Sequence, residues 1–403
     1  MLAEALFTLV GVAFGIITGL IPGMHVNTLA AILIGFFYKY DFPGMPLAYF
    51  VIGLSVANSF SGFIPSIFLG APDESTVLSI APGHRMLKKG RGYEALALTV
   101  LGGIGGFFAL IVTMPLIIYT IPSIYEALRQ YIQYILIIVM IFLIAKEKYV
   151  LWALFLYALV SVYGIVSMNA NINASYLLLP MLSGLFGLSS LALSYFTDST
   201  IPRQKQKIRI KYKKYIPSTI LGLFSGLIAG ILPGLGTSQS AIITQQLGRT
   251  RGAKKFLALL GAVSVTDIML SVLAIYLVGN PRSGGAVAIQ SFLGEGLGLQ
   301  TVLLFVAAGL ISAAIAAYFT LRLGRAFGEI ISKVNYKATV VLTAAFLIGV
   351  IYAFSGIIGL LIALTGAAIG IIPNIVGVKK SLLLGCLITP TMLYFLGIST
   401  YLV

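Results

Sequence analysis

The feature that most constrains this chain is the length of its segments that lack Asp, Glu, Lys and Arg. These segments cover residues 5–38, 42–72, 95–125, 130–145, 149–197, 215–248, 296–321, 338–378 and 381–403. About 20 apolar residues suffice for a helix to cross a bilayer, so several segments are too long for one helix and must fold back. Only 9% of the residues are charged, against about 25% in a typical soluble domain. The sequence therefore predicts an all-α polytopic membrane protein with about ten to twelve membrane segments and excludes a large soluble catalytic domain.

The sequence contains no recognisable metal-binding, cofactor-binding or catalytic motif. The chain has one Cys, Cys386, and two His, His25 and His84, which are too few for a Cys/His metal site or a disulfide framework. It has no His-Glu-x-x-His, no P-loop, no Gly-x-Ser-x-Gly and no paired membrane aspartates. We therefore expect no enzyme activity, no cofactor and no metal. Any transport would be driven by an ion gradient or by the substrate's own gradient.

The basic residues predict the topology. Of the 26 Lys and Arg, 23 fall in six short clusters: Arg85–Arg91, Lys146/Lys148, Arg203–Lys214, Arg249–Lys255, Arg322–Lys337 and Lys379/Lys380. Positively charged loops tend to stay cytoplasmic, which accounts for the basic residues without any nucleic-acid partner. If all six clusters are cytoplasmic, both termini lie outside. Four segments then enter and leave on one side as re-entrant hairpins: 1–38, 62–84, 216–248 and 274–292. The protein is expected in the cell membrane.

Three motifs recur at nearly one offset. Gly15-x3-Gly19-x2-Pro22-Gly23 returns 211 residues later as Gly226-x3-Gly230-x2-Pro233-Gly234. Ser55-Val56-Ala57-Asn58 and Gly70-Ala71-Pro72 return 209 residues later as Ser264-Val265-Thr266-Asp267 and Gly279-Asn280-Pro281. We interpret 1–200 and 216–403 as two copies of one unit, joined by a basic cytoplasmic linker at 201–215. Each copy is predicted to have about five transmembrane helices and two hairpins. The odd number inverts the second copy, a pattern typical of secondary transporters.

A Pro-Gly pair interrupts the first hairpin of each half. Pro ends a helix, and backbone groups freed within a membrane are tolerated only next to a ligand, water or protein. A helix that restarts there presents its positive end, which binds anions. Alternatively, Asn27, Thr28, Thr237 and Ser238 only cap the new helices. We predict that the breaks face each other and share one substrate site, built from Pro22, Gly23, His25, Asn27, Thr28, Pro233, Gly234, Gly236, Thr237, Ser238 and Gln239. His25 would carry a proton or be a hydrogen-bonded core histidine.

The tips of the second hairpins supply further candidates, Ser75 and Thr76 in the first half and Arg282 and Ser283 in the second. Arg282 would clamp a carboxylate or phosphate with two hydrogen bonds, or pair with Asp73 or Glu74 to hold the hairpins together. Asp73 and Glu74 are candidate ion-coupling residues.

Asp267 is the main candidate for ion coupling. It lies in an apolar run, where ionisable residues are expensive and by default functional. Its repeat mate is Asn58, so one half has an acid where the other has an amide. This asymmetry favours a single cation or proton site. The alternative is a structural pairing of Asp267 with a neighbouring helix.

Several of these motifs resemble one transporter family. They are Gly19-Leu20-Ile21-Pro22-Gly23, the tip from Ser66 to Val77, the Gly-rich basic loop from Pro82 to Arg91, and Gly230-Ile231-Leu232-Pro233-Gly234-Leu235-Gly236. Over nearly its whole length the chain resembles the large membrane subunit of the tripartite tricarboxylate transporters, as a shorter, diverged member. Gly70-Ala71 replaces the Asn-Thr of the family's tip, and Leu257–Asp267 lacks its Pro-Glu-Ala-Asn-Asn-like run. The resemblance implies cation-coupled carboxylate uptake with an extracytoplasmic binding protein and a small membrane subunit.

Two other functions remain open at this stage. A transporter of a polyprenyl-phosphate lipid carrier would also use polar Pro-Gly hairpins against a phosphate, and the 21 Tyr and 24 Phe would suit a lipid tail. An intramembrane enzyme acting on lipid-linked substrates would need a catalytic pair, for which His84 beside Arg85 is the candidate. The sequence leaves a homodimer open.

Overall fold

A computed structural model of the protein describes residues 2–21, 26, 29–30, 33–34, 37, 42–71, 75–170, 174–196, 202–231, 236–248, 252–279, 281, 283–294, 296–331 and 336–398. Every regular element in these ranges is helical, which confirms the all-α prediction. In the first half, helices α1 to α8 span Leu2–Leu20, Gly44–Ser61, Ile80–Leu87, Gly92–Leu128, Ile132–Ala145, Val150–Met168, Ala174–Leu182 and Ser189–Tyr195. In the second half, α9 to α15 span Ile216–Ile231, Thr237–Leu247, Ala253–Val278, Gly284–Leu293, Leu299–Ile331, Tyr336–Val376 and Gly385–Phe395.

Shorter helical turns complete these elements. One π-helical turn, Pro65–Leu69, follows α2. A second, Ser183–Leu188, joins α7 to α8. The 3-10 turns are Val77–Ser79, Arg129–Tyr131, Tyr212–Tyr215 and Lys380–Leu384.

The hydropathy of the described helices confirms a multi-pass membrane protein. Seven helical segments in the described ranges are long and apolar enough to cross a membrane: Leu2–Leu20, Gly44–Leu69, Gly92–Leu128, Val150–Met168, Ala253–Val278, Leu299–Ile330 and Val340–Val376. Shorter apolar helices add Gln133–Ala145, Leu177–Leu193, Gly284–Leu293 and Leu382–Phe395. The number of crossings in each half stays a prediction.

Two of the long charge-free segments are interrupted in the structure. In 149–197, α6 ends at Met168 and α7 begins at Ala174, on either side of the Asn-rich run. In 338–378, Gly356 has φ +60° and ψ −158°, so it breaks α14 into two helical parts. A positive φ is costly for residues with a Cβ, and Gly meets this requirement at position 356 without strain.

Helices α1 and α2 pack closely through three glycines spaced four residues apart, Gly11, Gly15 and Gly19. A Cβ built on Gly15 would lie 2.8 Å from the Cβ of Ala57, and one on Gly19 would overlap the hydroxyl of Ser61. The Ser61 hydroxyl donates to the Gly15 carbonyl across this contact, at 3.1 Å. Small residues at this spacing let helix backbones approach each other, as is common in membrane proteins.

The second half repeats this contact in α9 and α11. Gly222, Gly226 and Gly230 of α9 correspond to the three glycines of α1 at the offset of 211 residues. A Cβ on Gly226 would overlap the Thr266 side chain, and one on Gly230 would lie 2.8 Å from the Leu270 Cβ. The glycines that precede both Pro-Gly breaks are therefore also the residues that fix the preceding helix to its neighbour.

Corresponding helices have corresponding neighbours across the two halves. Helices α1 and α2 of the first half pack against α13 of the second, while α9 and α11 of the second half pack against α4 of the first. This exchange places α2 and α11 at the centre of the protein. In an apolar stretch of 18 residues within Gly44–Leu69, 94% of the residues are buried, and in the corresponding stretch of Ala253–Val278 83% are buried. Most residues on these two helices are therefore shielded from lipid. The inversion of the second half stays a prediction.

The described members of the basic clusters lie on one face of the molecule. Lys380 is close enough to His84 for its charge to act on the histidine, which relates the last cluster to the first. Direct contacts join the other clusters. Arg91 of the first cluster and Lys254 of the fourth both pair with Glu94. The linker contacts two clusters, because the Lys205 amide donates to the Gly90 carbonyl and the Gln206 side chain donates to the Arg325 carbonyl. Lys379 pairs with Glu147, which lies between Lys146 and Lys148. A single face agrees with the positive-inside assignment. That this face is cytoplasmic stays a prediction.

The interhalf linker is anchored by one buried glutamine. Gln204 is 4% exposed, although exposed basic side chains surround it in the sequence. Its Oε1 accepts from the Gly92 amide at 2.7 Å, and its Nε2 donates to the carbonyls of Leu87 at 3.1 Å and Pro202 at 2.6 Å. The described part of the linker is therefore held in place by hydrogen bonds to the segment between α3 and α4.

Cysteine labelling of intact cells tests the topology. Leu2→Cys is expected to react with an impermeant reagent added outside, and Lys205→Cys only after permeabilisation, because the linker is predicted to be cytoplasmic. The native Cys386 is fully buried and supplies little background. Strong outside labelling at 205 with none at 2 would contradict both the topology and the inversion.

Candidate substrate and ion-coupling sites

Both Pro-Gly breaks follow directly on a helix end. Helix α1 ends at Leu20 and α9 ends at Ile231. The predicted site residues at the breaks themselves lie outside the described residues: Pro22, Gly23, His25, Asn27, Thr28, Pro233 and Gly234. The prediction that the two breaks face each other therefore stays a prediction.

Helix α10 begins immediately after the second break. Its N-cap is Gly236, with φ −78° and ψ 177°, so no N-cap side chain bonds to the first turn. The first intrahelical bond is donated by the Ser240 amide to the Gly236 carbonyl at 3.1 Å. Neither Thr237 nor Ser238 is the N-cap residue, which corrects the capping alternative for this half. The amides of residues 237–239 precede the intrahelical ladder and point towards the break.

The first turn of α10 is polar but buried. Thr237, Ser238, Gln239 and Ser240 are all buried. The Ser240 hydroxyl is occupied by the Ser225 hydroxyl at 3.0 Å and the Thr237 carbonyl at 3.1 Å. Gln239 differs, because its Oε1 is buried without a hydrogen-bond partner among the described residues. Leaving a buried polar atom unpaired costs about 1–3 kcal/mol, which a bound ligand or water would recover.

The two hairpin tips begin with the same backbone conformation. Gly70 (φ +72°, ψ 21°) and Gly279 (φ +66°, ψ 10°) are both left-handed and stand 209 residues apart in the sequence. In the first tip, Ser66 donates to the Thr76 carbonyl at 3.0 Å and shares a hydrogen bond with Ser79 at 2.8 Å. Thr76 is fully buried and Ser75 half-buried. Asp73 and Glu74 lie outside the described residues.

The second tip leads into α12, whose N-cap is Ser283. The Ser283 hydroxyl accepts from the Ala286 amide at 3.2 Å, so this predicted substrate ligand has a capping role in the structure. Arg282 lies outside the described residues, and its suggested pairing with Asp73 or Glu74 stays a prediction.

The structure brings Val26, which follows the first Pro-Gly pair in the sequence, next to the start of α12. A Cβ on Gly285 would lie 3.0 Å from the Ser55 hydroxyl and 3.5 Å from Val26, which follows the first Pro-Gly pair. Ser55 is buried, and its hydroxyl has no partner among the described residues. Ser55 is not among the site residues predicted from the sequence, although its place in the repeated Ser-Val-Ala-Asn motif is a signal.

Asn58 and Asp267 occupy corresponding places beside the two broken helices. Asn58 is buried and donates its Nδ2 to the Thr18 hydroxyl at 3.2 Å, in the last turn of α1. Asp267 is half-buried, and its backbone faces the last turns of α9: a Cβ on Gly226 would lie 3.1 Å from its amide nitrogen. An amide and a carboxylate therefore stand at equivalent positions on the two central helices.

His84 has properties that argue against an acid–base role. Its Nε2 is buried without a partner among the described residues and lies 3.0 Å from a Cβ built on Gly70. Burial, followed by the positive charges of Lys88 and Lys380, lowers the pKa of His84 to about 4. The imidazole is therefore neutral at physiological pH and is a weak base, which disfavours the His84–Arg85 catalytic pair.

A comparison with known families decides the identity of this membrane protein. Residues 5–385 match the tripartite tricarboxylate transporter TctA family. The chain belongs to this family. A TctA-family protein is a component of a tripartite system that also has a binding protein and a small membrane subunit.

One relative is similar along the whole chain. An uncharacterised protein of Methanocaldococcus jannaschii is 29% identical over 402 residues, which cover 97% of this chain and 98% of the relative. No solved structure matches the chain.

Proposed function

We propose that this TctA-family protein is a secondary active transporter that moves a di- or tricarboxylate across the cell membrane by symport with H⁺ or Na⁺. The observation that carries the proposal is the start of α10, a buried helix N-terminus without an N-cap side chain, directly after a break in an apolar segment. It supplies the electrostatics that a carboxylate needs inside a membrane.

The chemistry of this turn suits a carboxylate. Free amides at a helix N-terminus carry partial positive charge and donate to anions. The hydroxyl of Thr237 lies in the same buried turn. The unpaired Gln239 Oε1 is an acceptor, and rotation about χ3 exchanges it with Nε2, whose N–H groups then donate to a carboxylate oxygen. These groups bind charge without adding a buried cation that the empty site would have to stabilise.

The coupling cation is proposed to bind at Asp267. An ionisable residue on a helix shielded from lipid is expensive unless a cation, a proton or a neighbouring charge compensates it. A cation bound at Asp267 lies beside the last turn of α9. This turn directly precedes the break that is proposed to bind the anion. Each ion then favours binding of the other, which is the condition for symport.

The partners are proposed from the family. An extracytoplasmic binding protein would deliver the carboxylate, and a small membrane subunit would complete the complex. A homodimer is compatible with the many exposed apolar side chains on the outer helices.

Ligand binding to the purified protein tests the substrate class without requiring partner subunits. Di- and tricarboxylates are expected to raise the melting temperature and compete with one another, whereas isoprenoid phosphates should not. Gln239→Glu places a carboxylate in the site and should raise the dissociation constant for a tricarboxylate about 100-fold, since like charges cost several kcal/mol. Gln246→Glu makes the same charge change at the other end of α10 and should leave affinity unchanged. Binding of isoprenoid phosphates alone would contradict the proposal and support the lipid-carrier alternative.

A further inference from the structure

Three basic segments, distant in the sequence, meet around one cavity on the basic face. The cavity has a volume of about 330 Å³. Its walls come from the end of α3 and the loop after it, from the end of the linker, and from the start of α11. The lining residues that carry charge are Arg85, Lys89, Arg91, Lys214, Lys254 and Lys255.

The positive charge of this cavity is largely uncompensated. Glu94 pairs with Arg91 and with Lys254, each at 2.6 Å. The other four basic side chains of the lining have no carboxylate within ion-pair distance in the described part of the chain. Among the described residues, six cations against one carboxylate leave an excess of five positive charges around the cavity. Mutual repulsion of this size favours a bound anion.

The cavity also has an apolar side. Met86 and Tyr215 line it and are themselves buried. Immediately after Tyr215, helix α9 exposes Ile216, Ile220 and Phe224, which are 47%, 45% and 55% exposed. This spacing of four residues puts the three side chains on one face of the helix. An exposed apolar stripe therefore runs from the cavity along the outside of α9.

We propose that this cavity binds the phosphate headgroup of an anionic phospholipid, whose hydrocarbon chains lie along the exposed face of α9. Basic pockets at the cytoplasmic ends of membrane helices recognise such headgroups, and the predicted topology puts this face in the cytoplasmic leaflet. The adjoining apolar stripe favours a lipid over a soluble phosphate, because a free anion would gain nothing from it. The bound lipid would join α3, which follows the first tip, to α11 of the second half.

Lipid binding to the purified full-length protein tests the proposal. Native mass spectrometry with phosphatidylglycerol and phosphatidylcholine measures the bound lipid and its dissociation constant. The triple variant Arg85→Gln, Lys214→Gln and Lys255→Gln is expected to weaken phosphatidylglycerol binding about 100-fold, since each of the three basic residues contributes about fivefold. Phosphatidylcholine binding should be weak in both proteins.

Two control variants separate this site from general attraction. Lys207→Gln, Arg209→Gln and Lys211→Gln remove the same charge from exposed linker positions outside the cavity and should leave affinity within about twofold. Arg85→Lys, Lys214→Arg and Lys255→Arg keep the charge at the three positions of the cavity variant and should retain binding, which also guards against a variant that fails to fold.

Two outcomes would overturn the proposal. Equal loss of phosphatidylglycerol in the cavity and linker variants would show non-specific attraction. Displacement of phosphatidylglycerol by 10 mM inorganic phosphate as readily as by a second lipid would identify a site for soluble phosphate instead.

Discussion

Gly102→Ala is expected to remove most of the folded protein, because the backbones of α4 and α11 touch at this position. A Cβ on Gly102 would overlap the Ala258 carbonyl, with the Ala258 Cα at 3.0 Å, and a Cβ on Gly261 would overlap the Thr99 carbonyl in return. No flexible side chain can yield there, so a backbone must move. Overpacking of this kind costs about 3 kcal/mol or more. The yield of monodisperse protein and its melting temperature in detergent measure the effect.

The chain offers a matched control for this substitution. Gly349 lies in α14, and a Cβ on it would meet nothing within 4 Å. Gly349→Ala should be neutral or slightly stabilising, because Ala is the better helix former by about 1 kcal/mol. Similar melting temperatures for the two variants would contradict the close α4–α11 contact.

The repeat motifs predicted more of the fold than their positions alone suggest. The glycines of the first motif precede the Pro-Gly breaks, and in the structure they pack α1 on α2 and α9 on α11. Both roles need a small residue, so one motif predicts both. Whether a break faces the other break or the other tip depends on how helices cross, which hydropathy does not encode. The contact of Gly285 with Val26 was therefore not predicted.

Two buried polar contacts could not be predicted from the sequence for a similar reason. Gln204 and Glu147 lie among basic residues and read as parts of exposed loops. Their partners are distant, 112 residues away for the Gly92 amide and 232 for Lys379. Local patterns report the polarity of a segment but not the groups that the fold brings to it. The correspondence of Asn58 with Asp267 required only the repeat, whereas their places beside α1 and α9 come from the structure.

Asp267→Asn is expected to abolish gradient-driven accumulation while substrate exchange survives. The variant gives the second half the amide that Asn58 supplies in the first, with nearly the same shape. If Asp267 binds the coupling cation, its carboxylate is needed to link the ion gradient to the substrate, but the α10 turn that binds the carboxylate is untouched. In proteoliposomes, counterflow should stay within about twofold of wild type, and uptake driven by a H⁺ or Na⁺ gradient should fall to the equilibrium level.

The alternative role of Asp267 predicts the opposite pair of results. Asp267 has interaction partners in the protein, and if its purpose is to hold a neighbouring group, the amide would weaken that contact and lower the melting temperature. Coupling would then be intact in the folded fraction. Asn58→Asp supplies the reciprocal test, because a second carboxylate at the equivalent position would make a second cation site. If Asp267→Asn accumulates substrate normally and melts lower, Asp267 is structural, and the coupling cation must bind elsewhere.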